Sequence, residues 1–332
     1  MRIASVSHSH VHQRQHNFFR HVARLGHDVL LIAPATWGDL RPLPHDYGSQ
    51  VPPVPPYRLK STTEPFTLAA LPVVQAEGDM YRFELQGVER ELHEFEPDVL
   101  YVQQELECLI THRCVNLAKR NGWPVAVFVW ENLRPLGTEA EALLNHVDLL
   151  VAGNDAAGRI HAGSRQMVYL PQIGVDTAHF WRRPEVERDI DVGFIGRAVP
   201  EKGIEYLREA WPTAKIPPWR PWRELPWAYS HLKVLVNYSL DTPFWREQAM
   251  SYAAAEGLSS ECAVVVSDGG AIPWWLGGGF CEPCPGAIVV PQHNAAALRA
   301  GIGQALERWN EMGKQGRRWV EDNLSNGVIA QR

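Results

Sequence analysis

Cysteine is scarce: the 332 residues contain five, an odd number. A long chain with so few does not rest on a disulfide framework, and free thiols are expected. No run of about 18 apolar residues occurs, so no membrane-spanning helix is expected. The opening MRIASVSHSH has one arginine but no long apolar stretch. It therefore does not read as a signal peptide, and a cytoplasmic location is expected. A basic excess is missing too. Lys and Arg number 32 against 38 Asp and Glu, a net charge of −6. No broad positive field is left for a nucleic-acid backbone, so nucleic acid is not an expected partner.

What is present is the composition of a soluble globular protein, 45% hydrophobic and 21% charged. The length allows two domains of common size. Tryptophan (13) and proline (25) are abundant and cluster in IPPWRPWRELPWAY (216–229) and AIPWWLGGGF (271–280). These stretches read either as buried between domains or as a membrane-surface or partner-docking face.

RIASVS reads as a short buried strand. Phe18, Phe19, Val22 and Leu25 fall at helical spacing and predict a helix over 13–25, ended by Gly26. HDVLLIAP follows as a strand stopped by Pro34. Strand, helix and strand in this order make a βαβ unit and a parallel sheet. Residues 40–75, rich in proline and without a period, read as a long irregular surface insertion. The alternation then resumes. A helix over 79–96, strand DVLYVQ, a helix over 110–121 and strand PVAVFVW are followed by a helix over 138–146, strand DLLVAG and a short helix over 155–162. QMVYLPQIGVD is a strand running into a turn.

A second series begins at DIDVGFIG. It continues with helix GIEYLREAW, strand LKVLVNYS, a helix over 243–260, strands AVVVSD and AIVV, and an amphipathic helix over 294–312. The expectation is two doubly wound α/β domains: 1–170, a linker at 171–183, and 184–332. Ligands of such sheets bind at the carboxyl ends of the strands, and a cleft between two facing domains is the default site.

Three motifs carry chemistry. In VGFIGRAVPEKGIEYLREA a buried strand ends at Gly196, and Arg197 and Lys202 flank a turn before a helix. Two cations beside a helix N-terminus suit an anion: arginine offers a fork to phosphate oxygens and lysine a mobile point charge. A solvated charged turn is the plainer reading. In TPFWREQAMSYAAAEGLSSECAVVVSDGGAIP, Thr242-Pro243 resembles a helix start. Glu256 lies among small residues one strand before Gly269 and Gly270. A carboxylate there can accept two ribose hydroxyls, and the glycines admit a ligand to the backbone; a solvated helical Glu is the plainer reading. Third, PQIGVDTAHF, with Phe180, reads as a linker pinned by a buried aromatic.

Taken in order, these motifs resemble the retaining glycosyltransferases of family 4. RLGHDVLLIAP, HVDLLVAGNDAA, IGVDTAHF, GRAVPEKG and EGLSSECAVVVSDGGAIP carry the resemblance over nearly the whole chain. It implies an α/β fold of two Rossmann-like doubly wound domains facing a cleft (GT-B), the first on the acceptor side and the second binding a nucleotide sugar. It also implies that Arg197 and Lys202 hold the donor diphosphate, that Glu256 binds the ribose, and that Gly196, Gly269 and Gly270 line the donor site. Transfer would retain anomeric configuration without metal or cofactor, the departing diphosphate taking the acceptor's proton. The acceptor would be a glycan, a lipid-linked molecule or a small molecule.

The chain departs from that family in several places. Eight positions before Glu256, where the family has an acid that contacts the transferred sugar, stands Gln248, with Glu247 beside it. Ser251 replaces a glycine and Trp274 a glutamate. Between Ala210 and Lys233 the family's strand and helix give way to the Trp/Pro segment, so the second domain is shortened. The substitution at Gln248 leaves a non-catalytic nucleotide-sugar binder as one alternative.

The other alternative comes from HSHVH, whose His8, His10 and His12, with His16 beyond, suit a metal-dependent hydrolase. The later strand ends YVQQE, VWEN, VAGND and YLPQ supply no further histidine. In the glycosyltransferase reading, His8, His10 and Gln13 face the acceptor or a phosphate. Glu131 and Asn132, just past a strand, are further acceptor-side candidates, and Glu105 ends another strand. CEPC is a single CxxC without a partner pair and reads as a loop.

Overall fold

The computed structural model describes residues 1–37, 57–58, 64–75, 78–162, 166–218 and 220–332. The chain divides into two compact units, one formed mainly by residues up to Ile173 and the other by Gly174–Ile329; the last three residues, Ala330–Arg332, belong to the first.

In the first unit the chain runs β1 (Arg2–Val6), α1 (Gln13–Arg24), β2 (Asp28–Pro34), β3 (Thr36–Trp37), β4 (Tyr57–Arg58), β5 (Thr67–Leu71), β6 (Val73–Gln75), β7 (Glu84–Leu85) and α2 (Val88–Phe95). It continues with β8 (Val99–Val102), α3 (Leu109–Asn121), β9 (Val125–Val129), α4 (Thr138–Leu144), β10 (Leu149–Ala152), α5 (Asp155–Ile160) and β11 (Met167–Tyr169). Seven strands form a parallel sheet in the order β11-β10-β9-β8-β1-β2-β5. A parallel sheet is covered on both faces, so its strands are apolar throughout; every residue of VAVFV in β9 is buried. The chain leaves β1 towards β2 on one side and returns to β8 on the other. The loops after β1 and β8 therefore stand at the sheet's switch point, where ligands of this architecture bind.

The second unit contains β12 (Ile190–Gly193), α6 (Ile204–Ala210), α7 (Leu225–Ser230), β13 (Leu232–Asn237), α8 (Tyr252–Ser259), β14 (Ala263–Ser267), α9 (Ile272–Leu276), β15 (Ala287–Val290), α10 (Ala295–Asn323) and α11 (Asn326–Gln331). Its four-stranded parallel sheet runs β12-β13-β14-β15. One face packs Leu258, Ile272, Trp275 and Val320; the other packs Phe194, Leu207, Leu298 and Ile302. Mixed α/β architecture with two parallel sheets is as the sequence implies.

Several elements differ from expectation. Thr67–Leu71, read as part of an irregular insertion, is the edge strand that pairs with β2; residues 38–56 and 59–63 of that stretch lie outside the described residues. The helix expected over 79–96 forms only at Val88–Phe95, because Phe83 and Leu85 are drawn into the core by a short antiparallel pairing with Val73–Gln75. The helix expected over 243–260 begins at Tyr252. Thr242-Pro243 caps nothing; Thr242 N donates to the Trp245 carbonyl at 2.8 Å and closes a turn. The helix expected to end at 312 continues to Asn323 across a kink at Arg308.

The Trp/Pro segment is more structured than expected. Lys215 makes an isolated parallel bridge to Gly193, on the edge of β12 opposite β13, and α7 follows. A strand and a helix are thus present in reduced form, and the chain crosses over β12 before entering β13. The tryptophans divide. Trp275 is wholly buried, and Trp222 stacks on His179 at 3.7 Å between centroids. Trp181 and Trp227 are exposed, their ring centres 4.1 and 4.6 Å from the Arg183 guanidinium carbon. Phe180 is buried, as the linker reading expects. All five cysteines are free, and Cys281 and Cys284 of CEPC hold no bond to each other. Among the described residues no helix is long and apolar enough to cross a membrane.

Candidate functional site

In the second unit the switch from β12 to β13 places two strand ends together, and β14 adds a third. Lys202 follows β12 in a tight turn, Ser239 follows β13, and Gly269 and Gly270 follow β14. Gly203 has φ +60, and a Cβ there would lie 2.3 Å from the Tyr238 carbonyl. The turn that carries Lys202 can press against β13 only with glycine at this position.

The Lys202 ammonium donates to Glu247 Oε2 at 2.5 Å and to Ser239 Oγ at 3.3 Å. Ser239 Oγ also donates to Glu247 Oε2, at 2.9 Å. The ammonium sits 4.7 Å from the centre of the Trp245 ring, which favours a cation over its face. Lysine and glutamate side chains are only 13% and 14% exposed, so bulk water screens the pair weakly. The loop between β13 and α8, read from sequence as helix, is what brings Trp245 and Glu247 to the lysine.

The glycine turn is bound to the same loop. Gly270 N–H donates to Asp241 Oδ1 at 2.8 Å, and Ala271 N–H to the Glu247 carbonyl at 2.8 Å. Gly270 has φ +54, and a Cβ on it would come within 2.3 Å of that carbonyl. Gly270→Ala therefore combines backbone strain of about 1–3 kcal/mol with a collision against fixed backbone. A fall in Tm of about 5 °C or more is expected; an unchanged melting curve would show that the turn is not clamped in this way.

The expected site residues separate into those that join this cluster and those that stand apart. Lys202, Glu247, Gly269 and Gly270 meet. Gly196 and Arg197 are exposed, and Arg197 makes no hydrogen bond or ion pair among the described residues. The adjacent helix is only seven residues long. Gln248 is half-buried. Glu256 is buried in α8 and accepts from the Tyr229 hydroxyl at 3.1 Å. Ser239, Asp241 and Trp245 were not singled out from sequence. The polar NYSLD following an apolar strand is the signal that marks the first two.

The first unit gathers buried polar groups at its own switch point. His10 Nε2 lies 2.9 Å from Ser5 Oγ, and His16 Nε2 2.7 Å from the His10 carbonyl. His8 Nδ1 is bonded to the Gln104 amide, and its ring lies 5.1 Å from Trp37. Burial pushes His8 and His12 down to about 4 and lowers His10 and His16. An alternating triplet on a loop suggests solvent-facing rings; instead His8 and His10 are buried, and Gln13 is the exposed member, bonded to Asn17. The rings do not converge, and among the described residues no group of three or more His, Cys, Asp or Glu is placed to hold a metal ion. Among the described residues the hydrolase alternative therefore lacks a ligand set.

Glu131 and Asn132 are buried after β9. Burial pulls the Glu131 carboxyl up, but Arg134 and the backbone N–H groups of Leu133 and Arg134 hold it below the ordinary value. Glu105, after β8, goes the other way. Its Oε1 accepts from Trp130 N–H at 2.6 Å and Glu131 N–H at 3.0 Å, while Oε2 makes no hydrogen bond among the described residues. Burial pushes its carboxyl up to about 8. Two neighbouring carboxyl groups are thus kept in different protonation states at neutral pH.

No protein-family model matches the sequence, and no curated protein sequence matches it. Solved structures do match in fold. The sucrose-phosphate synthase of Thermosynechococcus elongatus superposes with a TM-score of 0.67 at 14% identity, over 100% of this chain and 96% of that one. The fold is the GT-B glycosyltransferase fold. A glycosyltransferase from Rickettsia africae matches with a TM-score of 0.65 at 11% identity, over 99% of this GT-B chain and 96% of its own. An α-glucosyltransferase in complex with UDP and a 13-mer DNA matches with a TM-score of 0.59 at 10% identity, over 100% and 97%.

Proposed function

We propose that this protein is a retaining, metal-independent glycosyltransferase that takes a sugar from a nucleotide-diphosphate sugar. The observation that carries the reading is the weakly screened Lys202 ammonium at the strand ends of the second unit, beside a glycine turn. The GT-B fold supports it, as does the UDP bound by a structural neighbour. In this reading Lys202 stabilises the charge that develops on the departing diphosphate, and Arg197, exposed and uncommitted, closes on it as the second cation. Glu256 receives the ribose hydroxyls, and Gly196, Gly269 and Gly270 let the donor approach the backbone. The leaving phosphate takes the acceptor's proton, so the reaction calls for no separate nucleophile. Glu247 supplies a carboxylate where Gln248 does not, which favours a competent enzyme over a non-catalytic binder.

The acceptor would lie at the switch point of the first unit, near His8, His10, Gln13, Glu131 and Asn132. A glycan, a lipid-linked molecule or a small molecule fits a chain of net charge −6 better than nucleic acid. The exposed Trp181 and Trp227 are the groups that would touch a membrane surface.

A thermal-shift panel of nucleoside diphosphates and their sugars tests the reading. Stabilisation follows the ratio of ligand concentration to Kd, about 2.7 kcal/mol at a hundredfold excess. One base series is expected to raise Tm. A flat response across the panel at millimolar ligand would refute donor binding.

A further inference from the structure

Glu247 occupies a particular place in the cluster. Its carboxylate holds the Lys202 ammonium at 2.5 Å and accepts from Ser239. A diphosphate oxygen bound by that ammonium would stand in the same position. The main chain of Glu247 cannot withdraw to make room, because its carbonyl accepts from Ala271 N–H at 2.8 Å and lies against Gly270. The side chain alone has torsions left to move. Like charges cannot share one ammonium in a poorly screened site without strong repulsion.

We infer that Glu247 is an internal counter-ion that fills the anion position in the empty protein and is displaced from Lys202 when a diphosphate binds. This rests on the donor reading above and goes beyond it, since it assigns Glu247 an action against the ligand before any contact with a sugar. The exchange keeps a lysine neutralised while the site is empty. It also raises the threshold for anions: a ligand must outcompete a carboxylate already in place. A diphosphate, with more charge and more acceptor oxygens than a carboxylate, meets that demand. The displaced carboxylate becomes available to sugar hydroxyls at the moment the donor arrives.

The test is calorimetric titration of wild type, Glu247→Gln and Glu247→Asp with the nucleoside diphosphate chosen by the panel, and with inorganic pyrophosphate. Glu247→Gln keeps the shape and removes the charge. It is expected to bind both probes about three- to tenfold more tightly than wild type, the fold-change of a half-buried ion pair removed from competition. Its ligand-free Tm should fall, because Lys202 has lost its partner. Glu247→Asp keeps the charge but is one methylene shorter on a pinned main chain, so it competes less well for the ammonium and should bind both probes with an affinity between those of wild type and Glu247→Gln. A mere structural brace predicts the reverse, lower Tm together with weaker binding, and equal or weaker binding by Glu247→Gln would overturn the inference while leaving donor binding intact. Absence of any nucleoside diphosphate binding by wild type would instead remove the donor reading and the inference with it.

Discussion

Lys202→Ala is expected to lower sugar transfer about a hundred- to thousand-fold. Loss of one preorganised partner for a developing negative charge raises the barrier by roughly 3–4 kcal/mol. The site offers no ready substitute. Arg197 is exposed beyond the end of its strand, Arg246 is paired with Asp241, and the charged group that touches the ammonium is the Glu247 carboxylate. Alanine also leaves Glu247 without the ammonium it now holds at 2.5 Å. A modest fall in Tm should therefore accompany the loss of activity, and combining the change with Glu247→Gln should restore the Tm but not the rate. Transfer is followed as release of nucleoside diphosphate from the sugar nucleotide that the panel selects. Undiminished release by Lys202→Ala would refute the role.

The second large effect is on stability against pH, and it comes from the first unit. His8, His10, His12 and His16 are held neutral by burial, with His8 and His12 at about 4 against the usual 6.5. Between those values the unfolded chain binds protons that the folded chain refuses. Stability therefore falls as pH drops from about 6.5 to about 4, by up to about 3 kcal/mol each for His8 and His12, with His10 and His16 acting in the same direction. Glu105 acts in the opposite sense. Its carboxyl stays protonated up to about 8, whereas in the unfolded chain it ionises near 4.5, so stability declines as pH rises across that range. Below pH about 6.5 the histidines prevail by number; above it Glu105 acts alone. A stability maximum near pH 6.5 is expected in thermal melts. Glu105→Gln should remove the decline on the alkaline side. A Tm that is level from pH 4 to 6.5 would contradict the burial of these rings.

These two sites show how far the sequence is legible. Period and punctuation locate the inner strands of both sheets because parallel strands buried on two faces are apolar along their length, as in VAVFV and AVVVS; the half-exposed edge strand Thr67–Leu71 lacks that mark and is missed. The helix period misleads where a segment is amphipathic but short of partners. Residues 243–251 have helical composition, yet Glu247 is recruited by Lys202 and Trp245 by the same ammonium, and Pro243 permits the turn. An ion pair between residues 45 apart in sequence leaves no local trace. The histidines misread in another way. Alternation on a loop suggests a metal or a solvated wall; only the fold reveals Ser5, Gln104 and Trp37 as their partners. Glu105 is visible in sequence as one acid among several, and its burial alone distinguishes it.

The role of the Lys202 ammonium is tested most directly by calorimetric titration of one nucleoside diphosphate and its parent nucleoside into wild type and Lys202→Ala. The diphosphate should bind wild type far more tightly than the nucleoside does, and most of that difference should vanish in the variant. Equal affinity of the two proteins for the diphosphate would show that this lysine does not grip the pyrophosphate.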